Sequence, residues 1–149
     1  MKIRVATLDD YESLVDMYKS LIETVYEGLE IKEDIFFHGT VMKWFDNQYN
    51  IMISEKDDGT ISGFSMCHIE DIRIVEPYIK GELLYIKPEY RKGRSAYLLY
   101  HNTLELAKNM NMPIISSGHV GEDKANKILA KFGQPLFEEY VRFPKHISK

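Results

Sequence analysis

The sequence predicts an α/β (α+β) fold, and three observations carry that expectation. Leu83 to Ile86 is an apolar run that stops at Pro88, and a basic loop containing Gly93 then opens directly into a helical pattern, giving strand, loop and helix. Two strand-like runs, Tyr49 to Ser54 and Thr60 to Ile69, flank Asp57-Asp58-Gly59, which has the residues of a hairpin turn. Two helical stripes precede this hairpin, and further strand and helix patterns follow the basic loop.

Taken in order, Lys2 to Ala6 alternates apolar Ile3 and Val5 with longer polar residues, as a short first strand does. Thr7 stands three residues before Asp10, a capping-box spacing that starts a helix. Tyr11, Leu14, Tyr18, Leu21, Ile22 and Val25 recur at three- and four-residue steps along it, and Gly28 marks its end. Ile31 to Asp46 reads as a second helix with Ile35, Phe36, Val41, Trp44 and Phe45 as its apolar members, lining a pocket or covering a sheet face. After the hairpin, Glu70 to Lys80 mixes apolar residues, charges and Pro77, and either extends the flanking strands or forms a loop. Gly81 to Ile86 is the fourth strand. The helix from Ser95 to Asn109 carries Ala96, Leu99, Thr103, Leu106 and Met110 on one stripe and ends before Pro113. Ile114 to Gly118 is a fifth, buried strand, Asp123 to Phe132 a last helix capped by Gly133, and Leu136 to Phe143 a sixth strand. The tail, Pro144 to Lys149, is expected to fray.

At 149 residues the chain fits a single domain, residues 1–149, large enough to bury a core without disulfide or metal. A net charge of −4 argues against a generic nucleic-acid binder, which shows a basic footprint. The lone cysteine, Cys67, excludes an internal disulfide and falls in a strand, where a buried inert thiol is expected. No run approaches the roughly 20 apolar residues of a membrane span, and the N-terminus has no signal-peptide core. The expected location is the cytoplasm of a cell or infected host. The five His residues show no metal-ligand spacing, so no metal is expected.

Pro88-Glu-Tyr-Arg-Lys-Gly-Arg-Ser-Ala96, followed by Leu98-Leu99, resembles the acetyl-CoA-binding segment of the GNAT N-acyltransferase superfamily: Arg or Gln, two residues, Gly, one residue, then Gly or Ala. Arg91 and Ala96 match its ends. Arg94 stands at the central Gly position and Gly93 one place earlier, as in divergent bacterial and virus-encoded members. The order of elements is also that of the GNAT fold, a central mixed, mostly antiparallel sheet flanked by about four helices, and this likeness covers nearly the whole chain.

The resemblance implies an N-acetyltransferase that uses acetyl-CoA as co-substrate and transfers acetyl directly to an amine of a small molecule or protein; another acyl group is a weaker variant. Backbone groups of Leu84, Tyr85 and Ile86 would hold the pantetheine arm between splayed fourth and fifth strands. N–H groups of Arg91, Lys92, Gly93, Arg94, Ser95 and Ala96 would hold the pyrophosphate, with Arg91, Lys92 and Arg94 adding charge and Gly93 relieving a left-handed strain expected at Arg94. A protonated amine needs a base, and Glu82, at the start of the fourth strand, is the first candidate, with His119 the second and His68 and His38 weaker. The family's Tyr and Asn in the last helix are replaced by Leu129 and Glu122, which leaves Tyr97, Tyr85 or water as the general acid. Those departures also suit a catalytically inactive module that binds CoA or a protein partner. Homodimers are common in the family.

Overall fold

The computed structural model describes residues 1–26, 28, 30, 31 and 33–116. Five strands form one sheet in the order β1-β2-β3-β4-β5: β1 (Lys2–Val5), β2 (Asn50–Glu55), β3 (Ile61–Glu70), β4 (Tyr78–Ile86) and β5 (Ile114–Ser116). The first four pair antiparallel and β5 lies parallel to β4, so the sheet is mixed and mostly antiparallel. Three helices accompany it, α1 (Tyr11–Val25), α2 (Asp34–Asp46) and α3 (Ser95–Met110). The expected last helix and sixth strand, with His119, Glu122, Leu129 and Gly133, lie outside the described residues.

The two faces of the sheet follow from side-chain alternation. Ile51, Ile53, Phe64, Met66, Leu83 and Tyr85 pack with Leu14, Val15 and Met17 of α1 and Phe37, Val41 and Trp44 of α2. Met52, Leu84 and Ile86 turn the other way onto Leu99 and Ala96 of α3. Trp44 anchors the first cluster, its ring 4.8 Å edge-on from Tyr18 and 6.1 Å from Phe64.

Local signals set the element ends. Asp10 Oδ2 accepts the Thr7 N–H at 2.8 Å, the capping contact expected from the sequence, across a single 3₁₀ turn, Leu8–Asp10. Gly59, at φ 86°, closes the β2–β3 hairpin with its N–H on Lys56 O. Asn111, at φ 51°, ends α3 in the left-handed cap, and the Met112 N–H returns to Ala107 O.

Several boundaries and stripes need correction. Helix α2 starts at Asp34 rather than Ile31, and in its first turn the inward aromatic is Phe37, 7% exposed, while Ile35 and Phe36 are 68% and 61% exposed; Val41 and Trp44 are buried as expected. On α3 the expected Leu99 and Thr103 are buried and Ala96 and Leu106 pack beside them, but Ser95 and Ala107 complete the buried stripe while Met110 is 38% exposed. Strand β5 is half-buried along its length rather than buried. The undecided stretch after Ile69 does both things offered for it: β3 runs on to Glu70, β4 begins at Tyr78, and residues 71–77 form the loop between them.

Candidate active site

Strand β4 begins three residues earlier than expected, which moves Glu82 from the strand's start to its middle. Tyr78, Ile79 and Lys80 pair with Glu70, Ile69 and His68, but the register then shifts, with Leu83 opposite Met66 and Gly81 opposite Cys67. Glu82 is the extra residue. The alternation reverses across it, since Ile79 packs with Ala107 of α3 whereas Leu83 packs with the α1 and α2 cluster. This is a β-bulge, which re-aims a side chain at the cost of one unpaired residue.

The bulge delivers the Glu82 carboxylate to His68 and Lys80. Oε1 accepts a hydrogen bond from His68 Nε2 at 2.9 Å and is 3.2 Å from Lys80 Nζ. The His68 ring stacks on Tyr49, 4.6 Å between centroids at 18°, and its Nδ1 lies 3.4 Å from Glu70 Oε2. Burial pushes the Glu82 carboxyl up, but the hydrogen bonds from His68 and Lys80 outweigh it and hold the carboxyl below its ordinary value. Glu82 also raises Lys80. Among the described residues, no group of three or more His, Cys, Asp or Glu side chains is arranged to hold a metal.

Of the three histidines among the described residues, two of them, His68 and His38, expected as weaker candidates, only His68 meets Glu82. His38 binds the Tyr11 hydroxyl through Nδ1 at 3.0 Å, and its carbonyl accepts from the same hydroxyl, so it fastens α2 to α1. His101 lies on α3, stacked on Tyr97. His68 had a legible signal once the hairpin register is drawn, because it faces Lys80 across the β3–β4 pair. Tyr49 and Glu70 carried none.

Beyond Gly81, β4 has an edge that no described strand covers, because the β5 pairing runs only from Ile79↔Ile114 to Gly81↔Ser116. Lys87 donates its N–H to Ser62 O on the β3 side. Alternation therefore turns the backbone of Tyr85 toward β3 and that of Leu84 and Ile86 toward the opposite edge. A Cβ on Gly63 would collide with Tyr85 O, which places that carbonyl on the β3 side independently. So Leu84 and Ile86, but not Tyr85, have main-chain groups at this edge.

The loop after β4 makes a 3₁₀ turn, Pro88–Tyr90, and enters α3. The N–H groups of Lys92, Arg94, Ser95 and Ala96 reach no backbone carbonyl among the described residues, as the first turn of a helix dictates. Arg94 lies at φ −98° and Gly93 is not left-handed either, so the expected strain at Arg94 is absent. The chain reaches α3 through ordinary backbone, and no left-handed residue is needed. Two side chains here have structural partners. Ser95 is buried, with its Oγ 2.8 Å from Ser62 Oγ, which is itself 2.8 Å from Ser54 Oγ. Arg91 turns back along β4, its Nε donating to Ile86 O at 2.9 Å and its guanidinium 5.7 Å from the Tyr85 ring centre. Beside it a cleft of about 510 Å³ is lined by Ser20, Glu23, Thr24, Tyr85, Pro88 and Arg91.

The fold built from these elements has counterparts among solved structures. A predicted acetyltransferase from Clostridium acetobutylicum, solved with acetyl-CoA, superposes with a TM-score of 0.76 at 16% identity over 98% of both chains. The chain has the GNAT acetyltransferase fold. The same GNAT fold is seen in an aminoglycoside 6′-N-acetyltransferase from Acinetobacter haemolyticus (TM-score 0.71, 16% identity, 99% of each chain). It is seen again in a ribosomal-protein-alanine N-acetyltransferase from Brucella melitensis biovar Abortus (0.73, 14% identity, 96% of this chain and 100% of that one). No protein-family model and no curated protein sequence matches the chain.

Proposed function

We propose that the protein is an acetyl-CoA-dependent N-acetyltransferase, one domain over residues 1–149, that passes acetyl directly to an amine of a small molecule or protein. The observation that carries this is the continuity of two binding features on one stretch of chain. The Leu84 and Ile86 main-chain groups at the β4 edge lead directly to the N–H groups of Lys92, Arg94, Ser95 and Ala96, which meet no backbone carbonyl among the described residues. An amide-bearing arm ending in a pyrophosphate fits that sequence of donors and acceptors, with the arm adding to the sheet edge and the anion resting on the helix N-terminus. Acetyl-CoA has that shape and supplies an activated thioester.

In this reading Lys92 and Arg94 add positive charge near the anion, Arg91 braces the turn through Ile86, and Ser95 contributes its backbone N–H while its hydroxyl stays in the core. Glu82 takes the proton of the attacking amine. The similar proteins with named acceptors act on an aminoglycoside in one case and a ribosomal-protein alanine in the other, which supports an amine acceptor without choosing its class.

A thermal-shift titration tests the binding half. Acetyl-CoA at about 100 times its Kd adds roughly 2.7 kcal/mol of stability, and Gly93→Glu or Arg91→Glu removes the shift. No shift at millimolar acetyl-CoA overturns the proposal. CoA release with a panel of amines tests the catalytic half, because a module that binds CoA without turnover releases none above background.

A further inference from the structure

We propose that His68 is the positioning residue of the candidate base: by donating its Nε2–H to Oε1 of Glu82 it fixes the carboxylate so that Oε2 receives the proton of the acceptor amine. The inference rests on the N-acetyltransferase reading and adds to it a residue from β3 that the loop motif does not contain.

The two carboxylate oxygens are differently placed. Oε1 receives His68 Nε2 at 2.9 Å and Lys80 Nζ at 3.2 Å, whereas Oε2 has no partner among the described residues. The Glu82 side chain is 30% exposed and that of His68 14%, so the imidazole is the deeper member of the pair. Nε2 is held by Glu82, and Nδ1 is hemmed in by Ile69 O at 3.3 Å and Glu70 Oε2 at 3.4 Å, which leaves no room for a substrate atom there. The imidazole therefore acts through Glu82 and does not meet a substrate itself. Tyr49, stacked on the ring, fixes its plane. The groups facing His68 are Glu82 and Lys80 from β4, Glu70 from its own strand and Tyr49 from the segment before β2.

The chemistry balances. An N–H proton of the amine passes to Oε2, the nitrogen lone pair forms the C–N bond, the C–S bond breaks, and its electrons leave on sulfur, which is protonated from solvent. Holding one oxygen and freeing the other supplies orientation, the part of proton-transfer catalysis that geometry controls. The clamp also has a signature in pH. The His68 hydrogen bond is one of the two that overcome burial at Glu82, so its loss raises the Glu82 pKa and moves the acid limb of kcat/KM to higher pH.

The test compares His68→Leu, which removes the donor, with His68→Gln, whose amide N–H reaches about as far as Nε2. CoA release from acetyl-CoA is followed with tyramine, spermidine and a peptide with a free N-terminus. His68→Leu should lower kcat roughly 10–100-fold, part of the ~10²–10⁴ attributable to a base, with KM for acetyl-CoA unchanged and the acid limb shifted upward. His68→Gln should recover most of the loss. Wild-type kcat in His68→Leu, or equal losses in both variants that each keep the acetyl-CoA thermal shift, overturns the proposal. Independently of turnover, nitrogen-15 NMR of the wild-type imidazole should show a proton on Nε2, and an Nε2 without a proton overturns the clamp. If no amine releases CoA, it is the N-acetyltransferase reading that fails, and the Nε2 proton decides the clamp by itself.

Discussion

Gly81 and Ser116 touch so closely that a Cβ built on Gly81 would lie 2.6 Å from Ser116 Oγ. This contact is the last rung of the β4–β5 pairing among the described residues, one residue before the bulge at Glu82. Gly81→Ala should therefore push the Ser116 hydroxyl from its place beside the Tyr100 hydroxyl, at about 1 kcal/mol, the low end for an overpacked site, because Ser116 Cα at 3.6 Å is in ordinary contact. The double variant Gly81→Ala with Ser116→Gly should recover most of that loss. A thermal-melt double-mutant cycle measures the coupling, and additive effects would show that the contact does not limit the approach.

Asp10 should dominate the acid sensitivity of the N-terminal region. Arg4 donates to both its oxygens at 2.8 Å and also to Glu55 at 2.6 Å. The Arg4 hydrogen bonds hold the Asp10 carboxyl below its ordinary value, burial works against them, and the Thr7 N–H adds to the lowering. A carboxyl depressed in the folded state contributes stability above its unfolded pKa of about 3.9, and that contribution is lost as pH falls through the folded value. Asp10→Asn should cost about 2–3 kcal/mol at neutral pH, less than the ~3–5 of a wholly buried pair because Arg4 retains Glu55. Urea melts at neutral pH and near pH 3 should show the gap between variant and wild type narrowing in acid.

Ser95 and Ala96, adjacent in sequence, should answer differently to substitution. Ser95→Ala shortens the buried hydroxyl chain through Ser62 to Ser54 and should cost about 1–2 kcal/mol. It leaves the backbone N–H in place, so the acetyl-CoA thermal shift should survive. Ala96→Asp puts a carboxylate at the turn proposed to hold the pyrophosphate and should abolish the shift, with some loss of apo stability because Ala96 packs against Ile86 and Leu99. The reverse pattern would mean that the anion rests elsewhere.

Long-range order was easier to read than local facing. The hairpin at Gly59, the Thr7 and Asp10 pair and the strand-loop-helix from Leu83 into α3 each have a short-range cause, a turn residue, a cap or a break in periodicity, and each stands where the residues place it. Phe36 and Phe37 show the limit. Three consecutive apolar residues, Ile35 to Phe37, fit more than one helical stripe, and only packing against Trp44's neighbours decides that Phe37 turns inward. Glu82 was legible as a carboxylate near the pivotal loop, but its partners depend on a one-residue bulge that no composition or period announces. At Arg94 the family pattern suggested a glycine's backbone, and the chain takes an ordinary one.

The chain of hydroxyls from Ser54 through Ser62 to Ser95 ties the first turn of α3 to the strands that form the middle of the sheet. Those strands are set in place by folding, with or without a ligand. The N–H groups at the head of α3 are thereby aimed before any anion arrives, and little ordering entropy is left to be lost when one binds. A loop secured from beneath can carry an unusual surface sequence, Arg94 included, because its shape is decided by a residue that faces inward.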